Sequence, residues 1–176
     1  MFIDSLLVGL VVGKVRGGNF KSFLDIKVKN AYLILFAFLT QFLVIYFYSK
    51  ALLIAVTISY MILFLFTIFN RHLEGLIYIA LGMVLNLIVM VANGGRMPVD
   101  PHAAGLLAPE DLPALLAGEY GKHVAISEHT LFNFLGDIFY LQAPYPHPII
   151  ISLGDIVISI GVFLFIQKTM VKKHIN

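Results

Sequence analysis

Two Gly-Asp pairs carry the groups best suited to chemistry in this chain. Asp137 follows Gly136, and Asp155 follows Gly154 eighteen residues later. A Pro-rich stretch separates them and predicts a turn that folds the chain back on itself. If the carboxyl groups meet in a low-dielectric site, like charge and desolvation raise one pKa, so that an acid and a base coexist near neutral pH. The spacing therefore predicts a two-aspartate site, which is the kind of site that an aspartyl peptidase uses for catalysis.

The second aspartate also has structural and ligand-binding interpretations. Asp155 lies in the apolar run IIISLGDIVISIGVFLFI, where an ionised side chain is costly unless it is paired, hydrated or protonated. In a structural role, Asp137 would be solvated at the membrane interface, and Asp155 would bond the backbone or Ser152 at a helix start. In a third role, the two aspartates would bind an ion or a ligand. The residues alone leave all three open.

A second constellation, Asn93-Gly94-Gly95-Arg96, ends a hydrophobic run and is followed by Met97-Pro98-Val99. The two glycines permit a left-handed or closely approaching backbone, and Arg96 supplies a permanent cation. Such a turn binds a carboxylate or the anionic part of a substrate or lipid head group. Equally, it is typical of a helix C-cap whose arginine reaches toward lipid phosphates.

Histidines are the remaining candidates, and His129 is the best of them because it precedes Asp137 by eight residues, about two turns of a helix. The others in the same region, His102, His123 and His147, make a histidine-carboxylate metal site conceivable. Their spacing fits no known ligand pattern, however, and cysteine is absent. We therefore predict neither a metal nor a cofactor.

The elements that position these residues are predicted from composition. Of the 176 residues, 60% are hydrophobic and only 12% are charged, which is too much apolar surface for one small globule. We predict an all-α integral membrane bundle, a single membrane domain over 1–176 with five hydrophobic spans, the first of them short. The spans cover about 2–15, 31–49, 51–69, 75–92 and 148–167. Gln41, Asn86 and Gln167 within these spans are typical of interhelical hydrogen bonding.

Basic residues indicate the orientation of the spans. Lysines and arginines cluster after the first, third and fifth spans, and all three regions share one side if the chain starts outside the cell. They are Lys14, Arg16, Lys21, Lys27, Lys29, Arg71, Lys168, Lys172 and Lys173. The pattern predicts a multi-pass protein of the cell membrane with its N-terminus outside and its C-terminus in the cytoplasm. With so few charges, a nucleic-acid partner is excluded.

The segment 93–147 is then extracytoplasmic and is the only one large enough to build a site. Its composition predicts two short interfacial helices. The first runs from Pro109-Glu110-Asp111 through Ala117 and stops at Gly118. The second runs from Ser127 to about Leu141, with apolar residues at helical spacing.

The segment FLGDIFYLQAPYPHPIIISLGDIVISIGVFLFI resembles the C-terminal part of lipoprotein signal peptidase (signal peptidase II). Asp137 and Asp155 match that family's two catalytic aspartates, and Ile158 and Gly161 match its I-x-x-G, whereas Ser152 replaces its asparagine. This resemblance implies an intramembrane aspartyl peptidase that acts at the outer face. Over its whole length the chain looks like an uncharacterised family of small bacterial five-span proteins that carry an N-G-G-R-M-P-V signature. That resemblance implies a fold and a location, and no particular reaction.

Together these patterns give two functional hypotheses. In the first, Asp137 and Asp155 activate water while Asn93 to Arg96 and His129 bind the substrate, a membrane-anchored peptide. In the second, the protein is not an enzyme, and it binds a small ligand, an ion or another membrane protein while the aspartates hold the outer segment on the bundle. Membrane lipid is a partner in both.

Overall fold

A computed structural model describes residues 1–47 and 49–171, so that Tyr48, Lys172 and Lys173 lie outside the described residues. The described chain is mostly helical. Its helices are α1 (Phe2–Val15), α2 (Tyr32–Phe47), α3 (Leu52–Phe69), α4 (Leu76–Ala92), α5 (Pro101–Leu107), α6 (Leu112–Leu116) and α7 (Leu153–Met170).

Each of the five predicted spans contains one long helix, but the helices differ in length. Two of them, α3 and α7, are long and apolar enough to cross a membrane. These two have 18 residues each, whereas α1, α2 and α4 have 14, 16 and 17. At 1.5 Å per residue, α1 extends roughly 21 Å, well short of the roughly 30 Å of hydrocarbon. By length and composition, the structure therefore supports two membrane-spanning helices rather than five.

Helix α7 lies between α1 and α4, while α2 packs on α3 and α3 packs on α4. Gly9 and Gly13 of α1 lie against Ile166 and Met170 of α7, so these two helices run in the same direction. Side-chain contacts give α4 the opposite direction, and α2 likewise runs opposite to α3. The ends of α2 and α4 therefore lie at the same end of the bundle as the starts of α1, α3 and α7.

Small residues bring the backbones of α4 and α7 close together. A Cβ atom on Gly82 would lie 2.8 Å from the backbone nitrogen of Ile158, and one on Gly154 would overlap the side chain of Asn86. Close approach through glycines is the usual way in which membrane helices pack, since lipid gives them no hydrophobic drive to associate.

Polar side chains inside the helices join neighbouring helices, as the sequence predicted. Gln41 of α2 donates to the hydroxyl of Ser59 on α3 at 2.8 Å. The side chain of Gln167 on α7 donates to the Gly9 carbonyl of α1 at 2.7 Å. Asn86 joins α4 to α7 in the same way, by contacts described below.

The segment 93–147 and the residues just after it contain strands, so the all-α prediction is wrong there. Two parallel strands, β1 (Met97–Val99) and β2 (His123–Ala125), form one small sheet. Two antiparallel strands, β3 (Phe139–Leu141) and β4 (Ile149–Ile151), form another. The Pro-rich stretch does fold the chain back, but between strands, and β4 occupies the start of the span predicted at 148–167.

The predicted helix from Ser127 to about Leu141 is also wrong, because other parts of the chain bind this backbone. The side chain of Asn93 accepts from the Leu131 N–H and donates to the Leu131 carbonyl, both at 2.8 Å. Phe132 has a left-handed backbone with φ of 53°. Only one short 3₁₀ turn, Asn133–Leu135, remains helical, and Leu135 is buried against the bundle. Tertiary hydrogen bonds have overridden a helical pattern.

The other predicted short helix is present in shortened form, since α6 begins after Asp111 and Gly118 follows it with a positive φ of 71°. Helix α5 was not predicted. Its signal is the Asp100-Pro101 pair: Asp100 caps the helix by accepting from the His102 N–H, and Pro101 occupies the first helical turn.

Candidate functional site

Asp137 is held by its own backbone beside the first small sheet. Its N–H donates to the Pro98 carbonyl at 2.8 Å, and its carbonyl accepts from the Asp100 N–H at 3.0 Å. It therefore extends the β1–β2 pair as a short parallel bridge opposite Val99. This pairing fixes the direction of the side chain, which is buried, with 9% of the residue exposed.

The nearest titratable partner of Asp137 is His123, whose Nε2 lies 3.7 Å from a carboxylate oxygen. Burial, followed by the charge of Asp155, raises the pKa of Asp137 to about 7, while Lys122 opposes the shift. Burial, with the charge of Lys122, lowers the pKa of His123 to about 4. Near neutral pH, a neutral imidazole therefore faces a carboxyl group that is about half protonated, and the pair is not a fixed ion pair.

Asp137 and His123 line a cavity of about 220 Å³ between α5, α6 and the small sheets. Most of its wall is apolar. A second polar pair contributes to it, because the Tyr120 hydroxyl donates to the Asp111 carboxylate at 3.0 Å. The apolar wall consists of Val99, Ala104, Leu107, Ala108, Leu112, Leu115 and Ile150. The cavity thus combines an apolar body with two groups of hydrogen-bonding side chains.

Asp155 occupies a different position, in the first turn of α7. It forms a capping box with Ser152: the Ser152 hydroxyl accepts from the Asp155 N–H at 3.0 Å, and the Asp155 carboxylate accepts from the Ser152 N–H at 3.2 Å. Its other carboxylate oxygen accepts from the Asn86 amide at 3.0 Å, and Ser152 donates to the Asn86 oxygen at 2.9 Å. Both carboxylate oxygens therefore already accept hydrogen bonds from the protein.

The two aspartates remain close enough to interact through their charges, since Asp155 is one cause of the raised pKa of Asp137. Their surroundings are nevertheless unequal. Asp155 is fixed by a helix start and by α4, whereas Asp137 faces the cavity and His123. This arrangement favours a structural role for Asp155 and a chemical or ligand-binding role for Asp137.

The turn after α4 holds together the segment 93–147. Gly94 and Gly95 have positive φ of 66° and 89°, and a Cβ on Gly95 would lie 2.6 Å from the backbone nitrogen of Leu53. The Arg96 guanidinium donates to the Gly118 carbonyl and, at 3.4 Å, to the His123 carbonyl. Arg96 therefore joins the end of α6 to β2, and none of the residues 93–96 lines the cavity beside Asp137.

His129 does not lie beside Asp137. It is exposed in a turn in which its N–H donates to the Ser127 hydroxyl at 3.3 Å, and it does not line the cavity. Sequence reasoning ranked it first because it assumed a helix between the two residues. His123 takes that place instead, because β2 and the backbone of Asp137 pair with opposite edges of the same strand, β1. Within the described ranges, no group of three His, Asp or Glu residues could hold a metal ion.

Comparison with known proteins gives a family without an assigned activity. Residues 25–167 match a family described as being of unknown function, DUF5317. A protein of Thermotoga maritima, described as uncharacterized, is 36% identical over 166 residues, which cover 94% of this chain and 89% of that protein. No solved structure matches the chain. On the extent of these two matches, the chain belongs to the DUF5317 family.

Proposed function

We propose that this chain is a multi-pass protein of the cell membrane that binds a small amphipathic ligand at its outer face. The membrane location is supported by the outer surface of the helices. Only 28% of α3 is buried, unlike the core helix of a soluble protein. Helix α3 and its neighbours α2 and α4 also direct large apolar side chains outward. Examples more than 60% exposed are Leu35, Phe38, Ile54 and Ile77.

The five long helices can all cross if the membrane adapts to the shorter ones. A short span is accommodated by local thinning of the bilayer, at a modest cost per ångström. Basic residues support the orientation. Seven of those in the described ranges, Lys14, Arg16, Lys21, Lys27, Lys29, Arg71 and Lys168, lie toward the end of the bundle where α1 stops, against Lys50, Arg96 and Lys122 at the opposite end.

Single-cysteine labelling tests this topology directly, because the chain has no cysteine of its own. A membrane-impermeant maleimide added to intact cells should label Lys50→Cys and should label Lys27→Cys only after the membrane is opened. Labelling in the opposite order would contradict the orientation. Equal labelling of both in intact cells would contradict the membrane location of the bundle.

The observation that carries the ligand-binding proposal is the pair of buried Asp137 and partly buried His123 at the wall of a mostly apolar cavity. Its volume of about 220 Å³ is below the usual range for a whole drug-sized ligand, so it accepts one small apolar group with a polar end. Asp137 and Asp111 are both acidic, so the polar end is a hydrogen-bond donor or an amine.

Short amphiphiles that differ only in the polar end provide the probe. Hexylamine, hexanol and hexanoate are compared by their effect on thermal unfolding of the detergent-purified protein. We expect hexylamine to stabilise the protein most and hexanoate least, and we expect Asp137→Asn to remove this difference. Glu128→Gln changes an exposed carboxylate of the same segment and should preserve it. Equal stabilisation by all three probes would contradict the role of Asp137.

A second candidate, aspartyl peptidase activity, is favoured by one observation: the charge of Asp155 helps to keep Asp137 partly protonated near neutral pH. In such a reaction, the carboxylate would take a proton from water as the water oxygen bonds the peptide carbonyl carbon. The protonated partner would donate to that carbonyl, and the C–N bond would break as its nitrogen gains a proton.

Asp155→Asn separates the two candidates. The oxygen of an asparagine can accept from the Ser152 N–H, and its NH₂ group can donate to the Asn86 oxygen once the Asn86 amide turns over. The fold should therefore persist while the negative charge that the peptidase needs is lost. With a membrane-anchored reporter peptide in proteoliposomes, a peptidase predicts cleavage by the wild type and none by the folded variant. Unchanged cleavage in the variant would exclude the two-aspartate mechanism, and hexylamine binding preserved without any cleavage would favour a binding protein.

A further inference from the structure

A second cavity lies at the opposite, inner end of the bundle. It has a volume of about 480 Å³ and lies between the loop after α1, the turn before α4 and the end of α7. Its wall combines charged and apolar side chains. They are Ser22, Asp25, Ile26, Lys27, Lys29, His72, Leu73, Glu74, Phe165, Lys168 and Thr169.

The charges around this cavity are not balanced. Lys168 is paired with Glu74 at 2.9 Å. In the described part of the chain, the ammonium groups of Lys27 and Lys29 have no carboxylate within ion-pair distance, although Asp25 is also part of the wall. Two cations are therefore available to an anion, with one acid opposing them.

The loop that carries these lysines is fixed in place. The Asn70 side chain is fully buried at the end of α3, accepts from the Lys29 N–H at 2.7 Å and donates to the Lys29 carbonyl at 2.8 Å. The same amide group also donates to the Phe66 carbonyl at 2.9 Å, so α3 and the loop share one buried polar group. A ring nitrogen of His72 lies 3.3 Å from the Lys27 carbonyl. The cavity is therefore built before any ligand arrives.

We propose that this inner cavity binds the phosphate-ester head group of an anionic membrane phospholipid. Lys27 and Lys29 contact the phosphate, and the apolar side chains of Phe165 and Ile26 lie against the glycerol and the first acyl carbons. A basic pocket between helices at the cytoplasmic side is the usual recognition site for such lipids. The inference rests on the membrane orientation proposed above, but it is independent of the outer cavity.

Short-chain phosphatidylglycerol and phosphatidylcholine are the probes, because they share the phosphate and differ in net charge. Binding to the full-length protein in detergent is measured by native mass spectrometry. We expect phosphatidylglycerol to bind preferentially and the double variant Lys27→Gln/Lys29→Gln to bind it about 25-fold more weakly, at roughly fivefold per lysine. The control Lys50→Gln removes a lysine from the outer end, away from both cavities, and should leave binding unchanged. Removing the opposing acid with Asp25→Asn should strengthen it.

Four results would overturn the proposal. The first three are equal binding of the two lipids, an equal loss of phosphatidylglycerol binding in the control variant, and weaker binding of this lipid in Asp25→Asn. The fourth is competition by inorganic phosphate at the same concentration, which would indicate a site for free phosphate. Hexylamine stabilisation of each variant shows that the outer cavity is still folded. Failure here with correct cysteine labelling would contradict the lipid site alone, whereas inverted labelling would contradict the orientation.

Discussion

Replacing Asp137 with asparagine should make the protein more stable above neutral pH. The pKa of this carboxyl group is raised from 3.8 to about 7 by burial and by Asp155. The folded protein therefore binds its proton more tightly than the unfolded chain does, and stability falls as pH rises from about 4 to about 7. The fall is complete once the folded group has ionised.

The size of the effect follows from the shift. About three pKa units, at about 1.4 kcal/mol each, make the ionised carboxylate cost about 4 kcal/mol of the free energy of unfolding. Asparagine is neutral at every pH, so Asp137→Asn should resemble the wild type at and below about pH 4, exceed it by about 2 kcal/mol near pH 5 and exceed it by about 4 kcal/mol near pH 8. For a chain of this length, that corresponds to a melting temperature higher by on the order of 10 °C.

The assay is thermal unfolding in one detergent between about pH 4 and pH 8, with Glu128→Gln as the exposed-carboxylate control. Asp155→Asn should move the wild-type transition to lower pH, because one cause of the raised pKa is gone. A wild-type slope that persists in Asp137→Asn would assign the pH dependence to another group. A melting temperature for Asp137→Asn that is equal to the wild type at both ends of the range would refute a raised pKa at this carboxyl.

Three further substitutions test the scaffold. Asn86→Ala removes the partner of both Asp155 and Ser152, and it should lower the free energy of unfolding by about 2–4 kcal/mol in a denaturant titration. Gly82→Ala should lower the melting temperature because its Cβ meets the α7 backbone, whereas a wild-type value would contradict the close approach. Arg96→Lys should cost about 1–3 kcal/mol and speed hydrogen exchange in β1 and β2, since one ammonium replaces a guanidinium that reaches two carbonyls; unchanged exchange would contradict this role.

The helices of the bundle could be predicted because each is set by a long apolar run. The polar residues within those runs were equally informative, since Asn86 has few alternatives inside a helix other than a partner on a neighbouring helix. The positive φ of Gly94 and Gly95 is a conformation that the two glycines permit, as the sequence indicated.

The strands of the segment 93–147 could not be predicted in this way. Each is three residues long, which is too short to show an alternation of apolar and polar residues. Their pairing depends on contacts distant in sequence. Asn93 bonds the backbone of Leu131, 38 residues away, and thereby prevents the helix that the local pattern favours. Pairing between residues distant in sequence also places His123, and not His129, next to Asp137.

The two Gly-Asp pairs therefore occupy different structural positions, although they look alike in sequence. Asp155 is the N3 residue of α7, and a carboxylate there interacts favourably with the helix dipole and with the donors of Ser152 and Asn86. Because Asp155 lies near Asp137, its charge also raises the pKa of the Asp137 carboxyl group. A residue that caps a helix thus tunes the acid that faces the cavity. Both a binding protein and a peptidase would need such tuning, so the pKa of Asp137 alone does not distinguish them, whereas the response of each activity to Asp155→Asn does.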